Sequence, residues 1–423
     1  MTGYSGGISG ITLKKSIHDS CAFSLTAFSK DQSKRQYFKV IASLLIVIVL
    51  TIALMLVEVT LNTPTGTVDI FVGLDIGYGD EQTALEQIDK VADYVNLIIL
   101  GSLNVTMDTE VLTRVCDHIY QKDLSFIVYV AFGQAEDAPP RGPDSEFFVN
   151  AKEKYGDKFL GVYLFDEVGG KLMDGAHSIN VTDADTYTDA AILYTHHLNY
   201  YLGNISKHYS PAQFPLYTSD YALYWYDYLS GYDIVFTEYI GNQSRQVATG
   251  LCRGAAKALN KEWGVIITWS EQPGNFVENP DQLYNDMVLA YQNGAKYIIV
   301  FNSPGQFPPP TQYGTLTAEH FEKMKQFWNY ARTEPPVNPY PANTAFVLPR
   351  DYGYGFRGPE DKIWGKWEAD SISRQIWDDV QELFHTQVLS LDIVYETEIA
   401  NQSVDLPYDM LVFWNGTILQ SAG

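Results

Sequence analysis

Two adjacent acids, Asp166 and Glu167, close the apolar run Gly161-Val162-Tyr163-Leu164-Phe165 and are followed by Val168-Gly169-Gly170. The pattern predicts a buried strand that carries carboxylates to its tip. Similar runs end in or near Asp75, Asp220, Glu238 and Glu271, with Gln134, Ser219, Trp269 and Asn302 at equivalent places. Two carboxylates flanking an acetal carbon can hydrolyse a glycosidic bond. One protonates the leaving oxygen and the other acts as nucleophile or base, at ~5 to 5.5 Å separation for retention or ~6.5 to 9.5 Å for inversion. Crowding acids into one concavity raises the pKa of at least one, which suits a general acid near neutral pH. Glu167 is the expected acid/base and Glu238, ending Phe236-Thr237-Glu238-Tyr239, the nucleophile or base, with Glu271 the alternative for that second role. Asp75, Asp166, Asp220, Tyr239, Trp269, Glu271 and Asn302 are the expected substrate-binding residues, Tyr239 and Trp269 as rings for stacking on sugar faces. The competing use of such acids, as helix caps or rim ion pairs, is weakened by the near absence of bases at the same tips.

Eight apolar runs must position these groups: 68–75, 95–101, 124–132, 159–167, 214–220, 233–239, 263–269 and 296–302. Helical spacing fills most intervals, at 80–93, 108–122, 144–155, 184–208, 245–259, 280–293 and, after the last, 317–332; the connection at 222–231 is short. The expected fold class is α/β, a (β/α)8 TIM barrel over 68–333 with its chemistry at the C-terminal strand ends. A Pro-rich linker at 334–343 leads to a small α/β domain at 344–423, ordered strand, helix, strand, strand.

A Glu after the fourth strand, aromatic strand ends and a trailing small α/β domain resemble the (β/α)8 glycoside hydrolases over 68–333. The trailing domain is similar in order to the glutamine-amidotransferase-like domain of some β-galactosidases. In the largest clan of these enzymes the strand-four Glu follows Asn and the nucleophilic Glu ends strand seven. Here Asp166 stands in the Asn position and the seventh run ends Thr268-Trp269-Ser270-Glu271. The resemblance implies a sugar-cleaving activity on an oligosaccharide or polysaccharide with no cofactor.

The chain carries 28 Lys and Arg against 51 Asp and Glu, a net charge of −23, which argues against nucleic acid as a partner. Residues 1–39 run the other way, with six bases and two acids, and precede an uncharged apolar stretch at 40–57. That length spans a bilayer as a helix, and the flanking bases keep the N-terminus in the cytoplasm. The expected organisation is a cytoplasmic tail (1–39), a transmembrane helix (40–57), a stalk (58–67) and an extracellular remainder. A cleaved leader is the alternative, but no small-x-small site follows the apolar stretch. Six Asn-x-Ser/Thr sequons, at Asn104, Asn180, Asn204, Asn242, Asn401 and Asn415, all fall on the expected outer side. Cys116 and Cys252 are expected to be buried thiols on separate helices, and no His or Cys spacing suggests a metal. Two rival readings place the barrel as a non-catalytic carbohydrate-binding or envelope module, or the C-terminal layer, with Trp364, Trp367, Trp377 and Trp414, as a docking surface for an envelope protein.

Overall fold

The computed structural model describes residues 69–131, 140–176, 179–209, 213–268, 278–304, 314–334, 342–387, 390–396 and 408–420. They belong to one compact unit, Gly66–Gly423. The expected transmembrane stretch, the stalk, Trp269, Glu271, Asn401 and most of the Pro-rich linker lie outside them. Among the described residues no helix is long and apolar enough to cross a membrane.

Eight strands close into a parallel barrel in sequence order: β1 (Phe71–Ile76), β2 (Leu97–Leu100), β3 (Ser125–Val130), β4 (Phe159–Leu164), β5 (Leu216–Asp220), β6 (Ile234–Tyr239), β7 (Glu262–Ile267) and β8 (Tyr297–Asn302). The ring closes where β1 pairs with β8, from Phe71 opposite Tyr297 to Ile76 opposite Asn302. Both faces of each strand are covered, so the strands are near-continuous apolar runs. Their side chains still sort by parity. Phe71, Tyr163, Tyr217, Phe236 and Tyr297 point inward and stack, Phe71 on Tyr297 at 5.0 Å and Phe236 on Tyr297 at 5.5 Å between centroids. Room for this plug comes from Gly264, where a Cβ would fall 2.6 Å from Tyr297 Cβ and 2.8 Å from the Phe236 ring.

The outer layer holds α1 (Glu81–Val91), α2 (Leu103–Thr106), α3 (Thr109–Gln121), α4 (Ser145–Tyr155), α5 (Val168–Met173), α6 (Tyr187–His208), α7 (Tyr224–Ser230), α8 (Arg245–Ala258), α9 (Pro280–Gln292) and α10 (Ala318–Thr333). The starts of α1 and α3 are capped by Asp80 and Asp108, whose carboxylates accept from backbone N–H groups of the first turn. The helix expected from residue 184 begins later, at Tyr187, where Thr186 and Asp189 form a reciprocal capping box. Cys116 and Cys252 are both free and buried.

Beyond the barrel, β9 (Thr344–Leu348), α11 (Ser371–Gln387), β10 (Leu391–Tyr395), β11 (Met410–Phe413) and β12 (Ile418–Gln420) form a four-stranded sheet ordered β10-β9-β11-β12. The sheet packs against α8, where Gly250 and Gly254 present bare backbone: a Cβ at Gly254 would lie 2.6 Å from the Ile393 carbonyl oxygen. Across this contact the buried Arg253 guanidinium meets Asp392, Nε to Oδ1 at 2.7 Å, and donates to Asn293 Oδ1 at 2.7 Å. Tyr408 donates to the other Asp392 oxygen at 2.9 Å. The expectation of a partner surface built on tryptophans is corrected here. Trp364 is fully buried with its ring 4.5 Å from Tyr226 of α7, Trp367 stacks edge-on against Tyr187 of α6, and Trp377 and Trp414 pack on the core. Apolar rings between two layers gain more from the barrel than from solvent, so they hold the sheet to it.

Candidate active site

Parity predicts what stands above the aromatic plug. Continuing each inward series by two residues reaches Asp75 on β1, Tyr129 on β3, Ser219 on β5, Glu238 on β6, Thr268 after β7 and Phe301 on β8. All six line one cavity of about 570 Å³ at the C-terminal mouth, together with Asp166, Glu167 and Lys171. Strand β4 itself ends at Leu164, and the two acids occupy the turn that follows. Phe165 and Glu167 there have φ of +52° and +60°. Non-glycine residues adopt that region rarely, so the surroundings must enforce it. Thr218 Oγ1 donates to the Phe165 carbonyl at 2.5 Å, Tyr232 donates to the Leu164 carbonyl at 3.1 Å, and the Glu167 N–H donates to the Ser219 carbonyl at 2.8 Å.

The helix after the turn fixes the same geometry. The Asp220 carboxylate accepts from the Gly169 and Gly170 N–H groups at 2.5 and 2.7 Å, and from Tyr221 and Ala222 N–H at 2.7 and 3.0 Å. Asp220 is fully buried, so the expectation that it binds substrate is corrected: its oxygens accept from the start of α5 and from the loop after β5. Burial pushes its pKa up, those four donors hold it down, and the result is about 7. Gly170 is required because a Cβ there would lie 2.1 Å from Tyr221 Cζ.

Two other expected binding residues also point elsewhere. Tyr239 has the outward parity of β6, is buried, and shares a hydrogen bond with Thr249 of α8 at 2.6 Å. Asn302, also buried, spends its side chain on Gln87 at 3.0 Å and Thr315 N–H at 3.0 Å, tying α1 and the last loop to the barrel. Trp269 and Glu271 lie outside the described residues. Asp75, Asp166, Glu167 and Glu238 are the expected residues that the structure does bring together.

Their surroundings differ in a way that assigns protons. Glu238 is 3% exposed; Ser219 donates to its Oε1 at 2.5 Å and Tyr163 donates to Ser219 at 2.6 Å. Burial, and then the charge of Glu167, push the Glu238 pKa well above the usual carboxylate range. Burial and the Asp166 charge do the same to Asp75. Glu167 is also raised, by burial and Asp166, but Lys171 and Glu238 hold it down. Lys171 Nζ lies 3.2 Å from Glu167 Oε2 and 3.3 Å from Asp166 Oδ2, and Tyr129 donates to Asp166 Oδ1 at 3.1 Å. Burial alone would lower the Lys171 ammonium, but the two carboxylates outweigh it and raise it. Lys171 thus favours the ionised form of Glu167, and burial favours the neutral form of Glu238. Asp75 Oδ1, Glu238 Oε2 and Thr268 Oγ1 are buried without a hydrogen-bond partner among the described residues. Buried polar atoms are normally paired, so three open ones around one cavity leave hydrogen bonds for a bound molecule to make. Among the described residues no group of His, Cys, Asp and Glu is arranged to hold a metal ion.

Tyr129, Tyr163, Ser219, Lys171 and Thr268 were not among the expected site residues. Strand parity could have found Tyr129 and Tyr163, and Lys171 is the i+4 partner of Glu167 on a helix. Of the sequons, Asn104 stands exposed on the cavity rim, and Asn180, Asn242 and Asn415 are also exposed.

No protein-family model matches the chain, and no curated protein matches it. Among solved structures, a GH5_18 protein from Streptomyces cattleya in complex with GlcNAc superposes with a TM-score of 0.52 at 12% identity, covering 82% of this chain and 99% of that one. The GH20 catalytic modules of the pneumococcal exo-β-D-N-acetylglucosaminidase give 0.39 at 10% identity, over 64% of this chain and 87% of theirs. A family 1 β-glucosidase from Thermotoga maritima in complex with isofagomine lactam gives 0.35 at 10%, over 60% and 86%. What the chain shares with the Streptomyces protein is the fold, a closed eight-stranded parallel barrel.

Proposed function

We propose that the chain is a glycoside hydrolase in which Glu238 is the general acid and Glu167 the ionised carboxylate. What carries this reading is the single cavity lined by two carboxyls in different settings, Glu238 more deeply buried and Glu167 paired with Lys171. Glu238 would deliver its proton to the leaving oxygen as Glu167 attacks the anomeric carbon, and a water would then cleave the ester with Glu238 as base. In the retaining mechanism proposed, the two carboxyls work at ~5 to 5.5 Å with no water between them. Asp75 and Thr268 supply open hydrogen-bonding atoms for sugar hydroxyls. The GlcNAc in the Streptomyces neighbour makes N-acetylglucosaminides the first substrates to try.

The test is turnover of a broad panel of oligosaccharides by the purified chain, with the first anomer formed read by proton NMR. Loss of turnover in both Glu167→Gln and Glu238→Gln, with retention of configuration in the wild type, is the expected result. One observation favours a second reading. Lys171 pairs with both Asp166 and Glu167, as a basic residue would in a barrel that only binds glycans, and glycan binding without any turnover would establish that role instead.

We also carry forward, on the sequence alone, a membrane anchor at 40–57 with the barrel outside the cell, and glycans on Asn180 and Asn415, which line neither cavity described here. The amidotransferase-like resemblance of the C-terminal sheet is kept as one of architecture only. All three cysteines precede it, so it holds no thiol for glutamine hydrolysis.

A further inference from the structure

A second groove of about 640 Å³ adjoins the mouth cavity, and Glu167 lines both. One wall is barrel, with Tyr221 after β5 and Asn242 and Gln243 after β6; the other is the loop Arg357–Asp361 of the C-terminal unit. The walls are joined by the Arg357–Asp174 ion pair, and Asp361 braces the arginine from within its own loop. Arg357 grips Asp361 through Nε–Oδ2 at 3.0 Å and Nη2–Oδ1 at 2.8 Å, also pairs with Asp174, and Tyr221 donates to Asp174 at 2.6 Å. The groove is thus built before any ligand arrives. Its surface alternates amides, carboxylates, a guanidinium and a phenol, which suits a ligand dense in hydroxyls. Glu167, Asp174, Glu360 and Asp361 outnumber Arg357, which disfavours an anionic one.

We infer that this groove is a second sugar subsite, contributed by the C-terminal unit, and that the ligand is an uncharged glycan running from the mouth cavity past Glu167 into it. The inference rests on the glycoside hydrolase reading for the position of the scissile bond. Each cavity has the size of a small-ligand pocket, so together they take more than one sugar unit.

Gly358 offers a clean block. A Cβ there meets nothing within 4 Å and its backbone is outside the left-handed region, so Gly358→Trp can start into the groove without strain at its Cβ. Asn242→Trp, from the exposed opposite wall, is the second variant should the first not fold. Wild type and both variants are applied to an array of neutral, uronate-containing, sulfated and sialylated glycans graded in length, with melting temperature as the folding check. The expected result is strongest binding to neutral glycans longer than a disaccharide, weakened about tenfold in a folded variant. Equal affinity in a folded groove-filling variant, a preference for anionic or single sugars, or no glycan held at all overturns the inference. So does a glycan on Asn242 of the natural protein, seen by peptide mass, since it would occupy the groove. Binding without cleavage keeps the subsite and removes the hydrolase; cleavage indifferent to both variants does the opposite.

Discussion

A carboxyl sealed from water holds its proton to higher pH, and at Glu238 this has a consequence for stability as well as chemistry. Its folded pKa is above the ordinary 4.5, so the native chain keeps a proton that the unfolded chain releases. The stabilisation from that proton is complete below pH 4.5 and is lost as pH rises toward the folded value. Glu238→Gln keeps the shape without the charge. It should melt above the wild type near about pH 8, and the difference should shrink near about pH 4, as calorimetry across pH would show. The same variant should lose about 10²- to 10⁴-fold in turnover. Lys171→Met acts on the other partner: without the ammonium the Glu167 pKa rises, and the acidic limb of the kcat/KM profile should move up by about one pH unit. At this scale the sequence revealed which residues could do chemistry but not which would carry the proton. The acids at 75, 166, 167 and 238 were legible from strand endings. The different settings of Glu167 and Glu238 were not, because they depend on a lysine one helical turn away and on how deeply each carboxyl is buried.

At the scale of elements, the fourth strand delivers its acids only because β5 and α5 hold the turn in place. Asp220→Asn puts an amide NH2 against at least one of four backbone donors. It should cost about 1–3 kcal/mol in urea unfolding. Turnover should fall with it, since the turn that aims Glu167 is anchored there. Gly170→Ala should behave alike, at about 1–3 kcal/mol, by driving α5 off Tyr221. The eight strands and most helices were legible from period and punctuation, whereas α2, α5, α7 and β12 were not. These are the short elements, with too few residues to show a repeat. Asp220, Tyr239 and Asn302 share another cause of error. Standing at a strand end places a residue near the mouth, but only parity and the neighbouring loops decide whether its side chain enters it. Tyr239 is one residue past Glu238 and faces α8 instead.

At the scale of the whole molecule, the C-terminal sheet is joined to the barrel by the buried Arg253–Asp392 pair and by backbone laid against two glycines. Arg253→Met alone strands a buried carboxylate and should cost about 3–5 kcal/mol, whereas the double variant Arg253→Met/Asp392→Leu should recover most of that loss. Chemical denaturation of the three proteins measures both figures. The linker and the order of the C-terminal elements could be read from sequence, but the attachment could not, because Gly250 and Gly254 look like ordinary breaks in a helix until β10 is seen against them. That attachment also sets what can be inherited or transplanted. A cut at the Pro-rich linker would not free a working barrel but would bare the glycine face of α8, the Tyr226 ring and the Arg253 guanidinium. Recombination that exchanged one half for a relative's would have to match this seam residue by residue, so the barrel and its companion sheet travel as one module.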